Sequence, residues 1–200
     1  MPNVNILVKL SIATLGTTVI ALGVAGTAQA SGFSGAYDPS NWTLTNINSN
    51  GDVDTSAAPS LIITRGGDNG TFAFGQTSYT IAAAGNGLVS FDWIYETSDV
   101  DGPFYDNFGF VLNGVFTQLS NNQFSFQNGT FSTLVNLGDQ FGFAVNTVDN
   151  RFGAASATIF NFSAPQAVPE PASLIGILGL GAFGATSVYK RKQKKLTVKA

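Results

Sequence analysis

Residues 87–95 read GLVSFDWIY. Val89, Phe91, Trp93 and Tyr95 stand two apart, so in an extended chain they share one face, while Ser90, Asp92 and Ile94 share the other. The same alternation recurs in Phe108, Phe110 and Leu112, and again in Phe141, Phe143 and Val145. Three half-buried strands cannot bury those faces alone and need a second layer. Working outward, further short runs stand at 41–46, 60–64, 71–82, 107–112, 115–119, 123–126, 130–136, 140–147 and 155–162. Turn chemistry separates them: Asn50-Gly51, Gly66 to Gly70, Gly85-Asn86-Gly87, Asn113-Gly114, Asn128-Gly129 and Gly138-Asp139. Asn113-Gly114 between two apolar runs predicts a tight hairpin. With no amphipathic helix in sight, the expectation is an all-β, antiparallel β-sandwich or jelly roll of about 8–10 strands. The domain assigned to it is 31–165, long enough for a core without disulfides.

Composition removes whole classes of chemistry. The 200 residues contain no Cys and no His, which excludes disulfides, thiolate or imidazole metal sites and His- or Cys-based catalysis. Only 10% of residues are charged and the net charge is −3. Between 31 and 168, Arg65 and Arg151 face eleven carboxylates, a net −9. So acidic a body does not seek nucleic acid phosphates. Asp92 and Glu96 share a strand face, but four residues of strand separate them by about 13 Å. Glycoside hydrolysis needs roughly 5–9.5 Å. No G-x-S-x-G and no phosphate-binding loop is present, and the chain reads as not an enzyme.

The two ends read as addresses. Lys9, the uncharged apolar run 10–26 and the small residues of Ala28-Gln29-Ala30 form a signal peptide over 1–30, with signal peptidase cutting after Ala30. Residues 172–189 hold no charge; as a helix they reach roughly 27 Å, close to a bilayer core. Lys190, Arg191, Lys192, Lys194 and Lys195 follow at once, so the tail 190–200 stays cytoplasmic and the body lies outside. Between body and span, the linker 166–171 holds Pro169, Glu170 and Pro171. The two prolines keep that strip extended.

That order of Pro-Glu-Pro, span and basic tail over residues 168–195 resembles the PEP-CTERM sorting signal of Gram-negative bacteria. The resemblance implies recognition by an exosortase-type membrane enzyme, cleavage near the motif, and transient membrane anchorage. It also implies delivery to the outer surface or an exopolysaccharide matrix.

Carboxylates crowd into one stretch: Glu96, Asp99, Asp101 and Asp106, with Asp92 just upstream. Like charges held together call for solvent or a cation, and hard oxygens suit Ca²⁺. The order Glu96, then Tyr105-Asp106 ahead of Phe108-Gly-Phe-Val-Leu-Asn-Gly114, then Val148-Asp149-Asn150 and Gly153, resembles the calcium-binding variety of the CUB domain, a jelly roll, although the cysteines of that family are absent. The resemblance implies calcium on Glu96, Asp106 and Asp149, with Asp101 and Asn150 beside it.

Two functions are compatible with these readings. One is a non-enzymatic, structural or adhesive protein of the cell surface or extracellular matrix. The other is a carbohydrate-binding module for exopolysaccharide, with or without calcium. Jelly rolls bind glycans through exposed rings, and Trp42 and Tyr105 are the candidates because both flank loops; Trp93 falls on the core face.

Overall fold

The computed structural model describes residues 28–167. The expected signal run up to 27, the Pro169–Pro171 strip, the span and the basic tail lie outside the described residues. Among the described residues no helix is long and apolar enough to cross a membrane.

The alternating run becomes β6 (Gly87–Thr97), with Val89, Phe91, Trp93 and Tyr95 all buried. Ten further strands surround it. They are β1 (Ala28–Ser31), β2 (Thr43–Ile47), β3 (Val53–Asp54), β4 (Leu61–Arg65) and β5 (Gly75–Ala82), then β7 (Asp106–Leu112), β8 (Val115–Gln118), β9 (Phe126–Val135), β10 (Gln140–Thr147) and β11 (Ala155–Gln166). One sheet runs β3-β4-β11-β6-β9, with β1 also paired to β11; the other runs β2-β5-β10-β7-β8. Every pairing is antiparallel. Apart from the β7–β8 hairpin, which stays within one sheet, the strands from β4 to β11 alternate between sheets in the winding of a jelly roll, with β4-β11-β6-β9 facing β5-β10-β7-β8. This wiring sends the β4–β5, β6–β7, β8–β9 and β10–β11 connections to one end of the sandwich.

The core between the sheets is aromatic. Phe33 stacks on Phe162 with centroids 4.6 Å apart, and Phe91 meets Phe143 edge-on at 5.0 Å. Such pairs add about 0.5–1.5 kcal/mol each beyond the area they bury. Tyr37 is fully buried; its hydroxyl donates to the Pro165 carbonyl (2.5 Å) and accepts from the Ala84 amide (3.0 Å). That one side chain ties the entry to the sandwich to its last strand. Asn113-Gly114 forms the expected hairpin between β7 and β8, both residues at positive φ (52° and 80°) as a type I′ turn requires.

Three expectations are corrected. The runs 123–126 and 130–136 are not separate strands: β9 passes straight through Asn128-Gly129. Gly129 is there for space, since a Cβ at that position would sit 2.7 Å from the Trp93 ring. The last strand outruns the expected 155–162: a bulge at Asn161 (φ 49°) lets β11 continue to Gln166. The short β1 and β3 accompany nine other strands, in keeping with the expected sandwich of about 8–10. In β1, Ala28 and Ala30 lie against Gln166 and Ala164, and Ala30 is buried. Finally, β5 starts at Gly75 and not at 71.

Candidate functional site

At the end where the β6–β7 and β10–β11 loops meet, Asp106 opens β7 opposite Thr147 of β10 and is wholly buried. Its Oδ2 accepts from the Thr97 hydroxyl (3.1 Å), and its backbone carbonyl accepts from the buried Tyr95 hydroxyl (2.6 Å). Asp99, 6% exposed, turns back beneath the loop; its Oδ1 accepts from the Asp101 amide (2.6 Å). Asp149, half-buried, arrives from the β10–β11 loop. The loops are laced by main-chain bonds, Val148 N–H to Tyr105 carbonyl (2.7 Å) and Val100 N–H to Phe152 carbonyl (3.3 Å).

One oxygen of each of these three carboxylates, Asp99 Oδ2, Asp106 Oδ1 and Asp149 Oδ1, is buried and has no hydrogen-bond partner. An unpaired buried carboxylate is costly, and it either takes up a proton or a cation. Burial pushes the Asp106 carboxyl up to about 7, with the charges of Asp99 and Asp149 adding to it, against the lowering effect of the nearby Thr147 hydroxyl and the Thr97 hydrogen bond. Burial likewise raises Asp99, reinforced by Asp149 and Asp101. Burial also pushes the Tyr95 phenol upward, so it stays a proton donor. Among the described residues, no three His, Cys, Asp or Glu side chains are drawn tightly enough together to enclose a metal ion as they stand. An ion shared between Asp99, Asp106 and Asp149 would require these side chains to draw closer together.

The residues anticipated from sequence divide accordingly. Asp106 and Asp149 lie at the same loop end, near enough for the charge of Asp149 to raise the Asp106 carboxyl. Glu96 does not join them: it is exposed on the outer face of β6, because the alternation that buries Tyr95 turns its neighbour outward. Asp101 is exposed and supplies its amide, not its carboxylate. Asn150 pins the loops together. It is buried at φ 58°; its amide group donates to the Asn48 carbonyl, and its Oδ1 accepts from the Asn69 N–H (3.1 Å). Trp42 is no ligand platform. It lies buried between Tyr79 and Phe143, stacked on both (5.0 and 5.6 Å), and its indole N–H donates to the Tyr37 carbonyl (3.0 Å). Tyr105 stays at the loop end, half-buried and edge-on to the exposed Phe104 at 5.4 Å.

The same end holds groups that the sequence reading passed over. Asp99 belonged to the acidic stretch, yet nothing local marks its burial. Phe72 and Phe152 are 67% and 44% exposed, and both sit at positive φ (57° and 70°). Left-handed backbone costs a bulky side chain about 1–2 kcal/mol, so these rings are held outward at an expense. The sequence pointed the other way, since Phe72 and Phe74 alternate within the run 71–82 and read as part of a strand.

Three comparisons bear on this geometry. A search of curated sequences finds no match. Among solved structures, the fold is similar to a family 35 carbohydrate-binding module from Clostridium thermocellum (TM-score 0.34, 10% identity, covering 67% of this chain and 98% of that one). It is also similar to the family 11 carbohydrate-binding module of the cellulosomal cellulase Lic26A-Cel5E of Clostridium thermocellum (0.40, 8%, 74% and 99%). A third similar structure is CBM35 from Paenibacillus barcinonensis (0.31, 12%, 70% and 98%). The family model of the PEP-CTERM protein-sorting motif matches residues 167–192. The chain therefore carries a PEP-CTERM sorting motif behind a β-sandwich body, which marks it as an exported protein, transiently membrane-anchored and processed by an exosortase-type enzyme.

Proposed function

We propose that the body is a non-enzymatic, structural or adhesive domain of the outer surface or extracellular matrix, its loop end locked by calcium on Asp99, Asp106 and Asp149. The observation that carries the calcium is the trio of buried carboxylate oxygens without partners. Ca²⁺ takes 6–8 oxygens in flexible geometry, and three carboxylates from two loops would supply the charged part of such a shell. Glu96 and Asp101 give way to Asp99 in this ligand set because they face solvent. Signal peptidase cleavage after Ala30 leaves only Ser31 of β1 on the sandwich; exosortase-type cleavage near Pro169–Pro171 then frees the body from its span.

A second reading is a carbohydrate-binding module for exopolysaccharide, calcium-dependent through the same loops. Favouring it are the exposed rings of Phe72, Phe104 and Phe152 beside half-buried Tyr105, all at that end.

Thermal melts of the full chain in non-ionic detergent, with excess calcium and with chelator, test the ion. An ion that binds only the folded form at 100 times its Kd stabilises by about 2.7 kcal/mol. The expectation is a clear rise in Tm with calcium, lost in Asp106→Asn and kept in Glu96→Gln. Superimposable melts with calcium and chelator remove the ion from the account.

A further inference from the structure

Arg151 is held in a way that its own loop does not explain. Its guanidinium carbon lies 3.5 Å from the centroid of the Phe72 ring and 3.4 Å from that of Phe152. Two rings so near one carbon cannot occupy the same side of the planar group without overlapping, so they clamp it from both faces. Both phenylalanines reach this position through left-handed backbone, one from each of two loops. The loops themselves are joined by the Gly70 N–H to Asn150 carbonyl bond (2.7 Å).

The clamp covers the faces of the guanidinium and leaves its edge. Among the described residues the Arg151 side chain makes no hydrogen bond and no ion pair, although carboxylates are plentiful on this body. Arg65, the other arginine of the body, is by contrast fully engaged, 2.8 Å from Asp52 and 3.6 Å from Asp54. Stacking fixes the plane of Arg151 and spares its in-plane N–H groups, the fork that matches a carboxylate with two parallel bonds. Beside the fork, the outer surfaces of Phe72 and Phe152 stand open, and apolar rings of this kind accept the C–H face of a pyranose.

We propose that Arg151, clamped between Phe72 and Phe152, is a binding site for the carboxylate of an acidic sugar residue, a uronic acid within a polysaccharide. This deepens the polysaccharide reading of the loop end and rests on it, but does not require the calcium. The acidic body repels a polyanion at long range, yet at physiological salt charges beyond about 8 Å are largely screened. The contact is local: one carboxylate on one pre-oriented guanidinium. Lysine would keep the charge and lose both the plane and the fork.

The test is titration calorimetry of the full chain in non-ionic detergent with oligogalacturonate, and with a neutral galacto-oligosaccharide of equal length. The expected result is binding of the acidic oligomer at least tenfold tighter than the neutral one. That preference should be lost in Arg151→Ala, strongly reduced in Arg151→Lys, and reduced in Phe72→Gly, which keeps the positive φ and removes the clamp. Retention of the wild-type melting temperature shows that a variant is folded. Equal binding by wild type and Arg151→Ala overturns the proposal. Binding of the neutral oligomer alone overturns it too, while leaving the broader polysaccharide reading in place.

Discussion

With no cation at its loop end, this protein should show an inverted dependence of stability on pH, and Asp106 sets its size. Its carboxyl is raised from 3.8 to about 7 in the fold, first by burial and then by Asp99 and Asp149. Below 3.8 both folded and unfolded chains hold the proton, and no penalty exists. Between 3.8 and about 7 the unfolded chain releases it while the folded one keeps it, so each step up in pH favours unfolding. Above about 7 the penalty is complete and constant. At about 1.4 kcal/mol per tenfold change in proton affinity, it approaches about 4 kcal/mol as an upper bound. For a domain of this size that is a fall in Tm of roughly 10–20 °C. Asp99, also raised, acts in the same direction. The carboxylates lowered by hydrogen bonds, Asp38, Asp54 and Asp139, stabilise in the opposite sense, but their contribution is lost only as pH falls below the usual carboxylate range. The assay is a series of melts of the full chain in chelator from pH 4.5 to 8.5. Wild type should lose stability up to about pH 7 and then level off. Asp106→Asn should remove most of that slope, and calcium should restore stability at the alkaline end. A wild-type curve that is flat or rises between pH 5 and 8 refutes the reasoning, as does an Asp106→Asn curve with the wild-type slope.

Trp42→Ala should cost about 3–5 kcal/mol in thermal or urea unfolding, because it empties a core site between two stacked rings. The same exchange at exposed Phe104 should stay within about 0.5 kcal/mol. Gly129→Val should destabilise by about 1–3 kcal/mol through collision with the Trp93 ring, with a shift in tryptophan emission as its local signature. Tyr37→Phe removes the bond its hydroxyl donates to the Pro165 carbonyl and the one it accepts from the Ala84 amide, and should cost about 1–3 kcal/mol in unfolding experiments.

The strands that a sequence displays are those whose alternation is intact. For β10 the expected 140–147 is the observed strand, and Phe141, Phe143 and Val145 are buried as their spacing requires. The β7–β8 turn was legible because Asn113-Gly114 is local chemistry, a need for positive φ at two successive residues. Asn128-Gly129 carries the same letters for another reason: the glycine answers to Trp93 on the adjacent strand, a contact with no trace in the local sequence. Ala28-Gln29-Ala30 reads as a cleavage site because signal peptidase and a crowded β-strand pairing both accept small side chains. At the loop end, residue type alone marked Asp106 and Asp149 as carboxylates, not that Asp106 would be wholly buried. Strand parity, visible in the alternation around Tyr95, already turned Glu96 outward. Asp99 and the Phe72–Arg151–Phe152 clamp depend on how two loops fold against each other, and no spacing in the sequence encodes that.

Intact-mass measurement of the protein recovered from the surface or matrix fraction of its native host tests the export account most directly. The account gives a species that begins at Ser31 and ends near the Pro169–Pro171 strip. A mature pool whose mass extends from Met1 through Ala200 contradicts it.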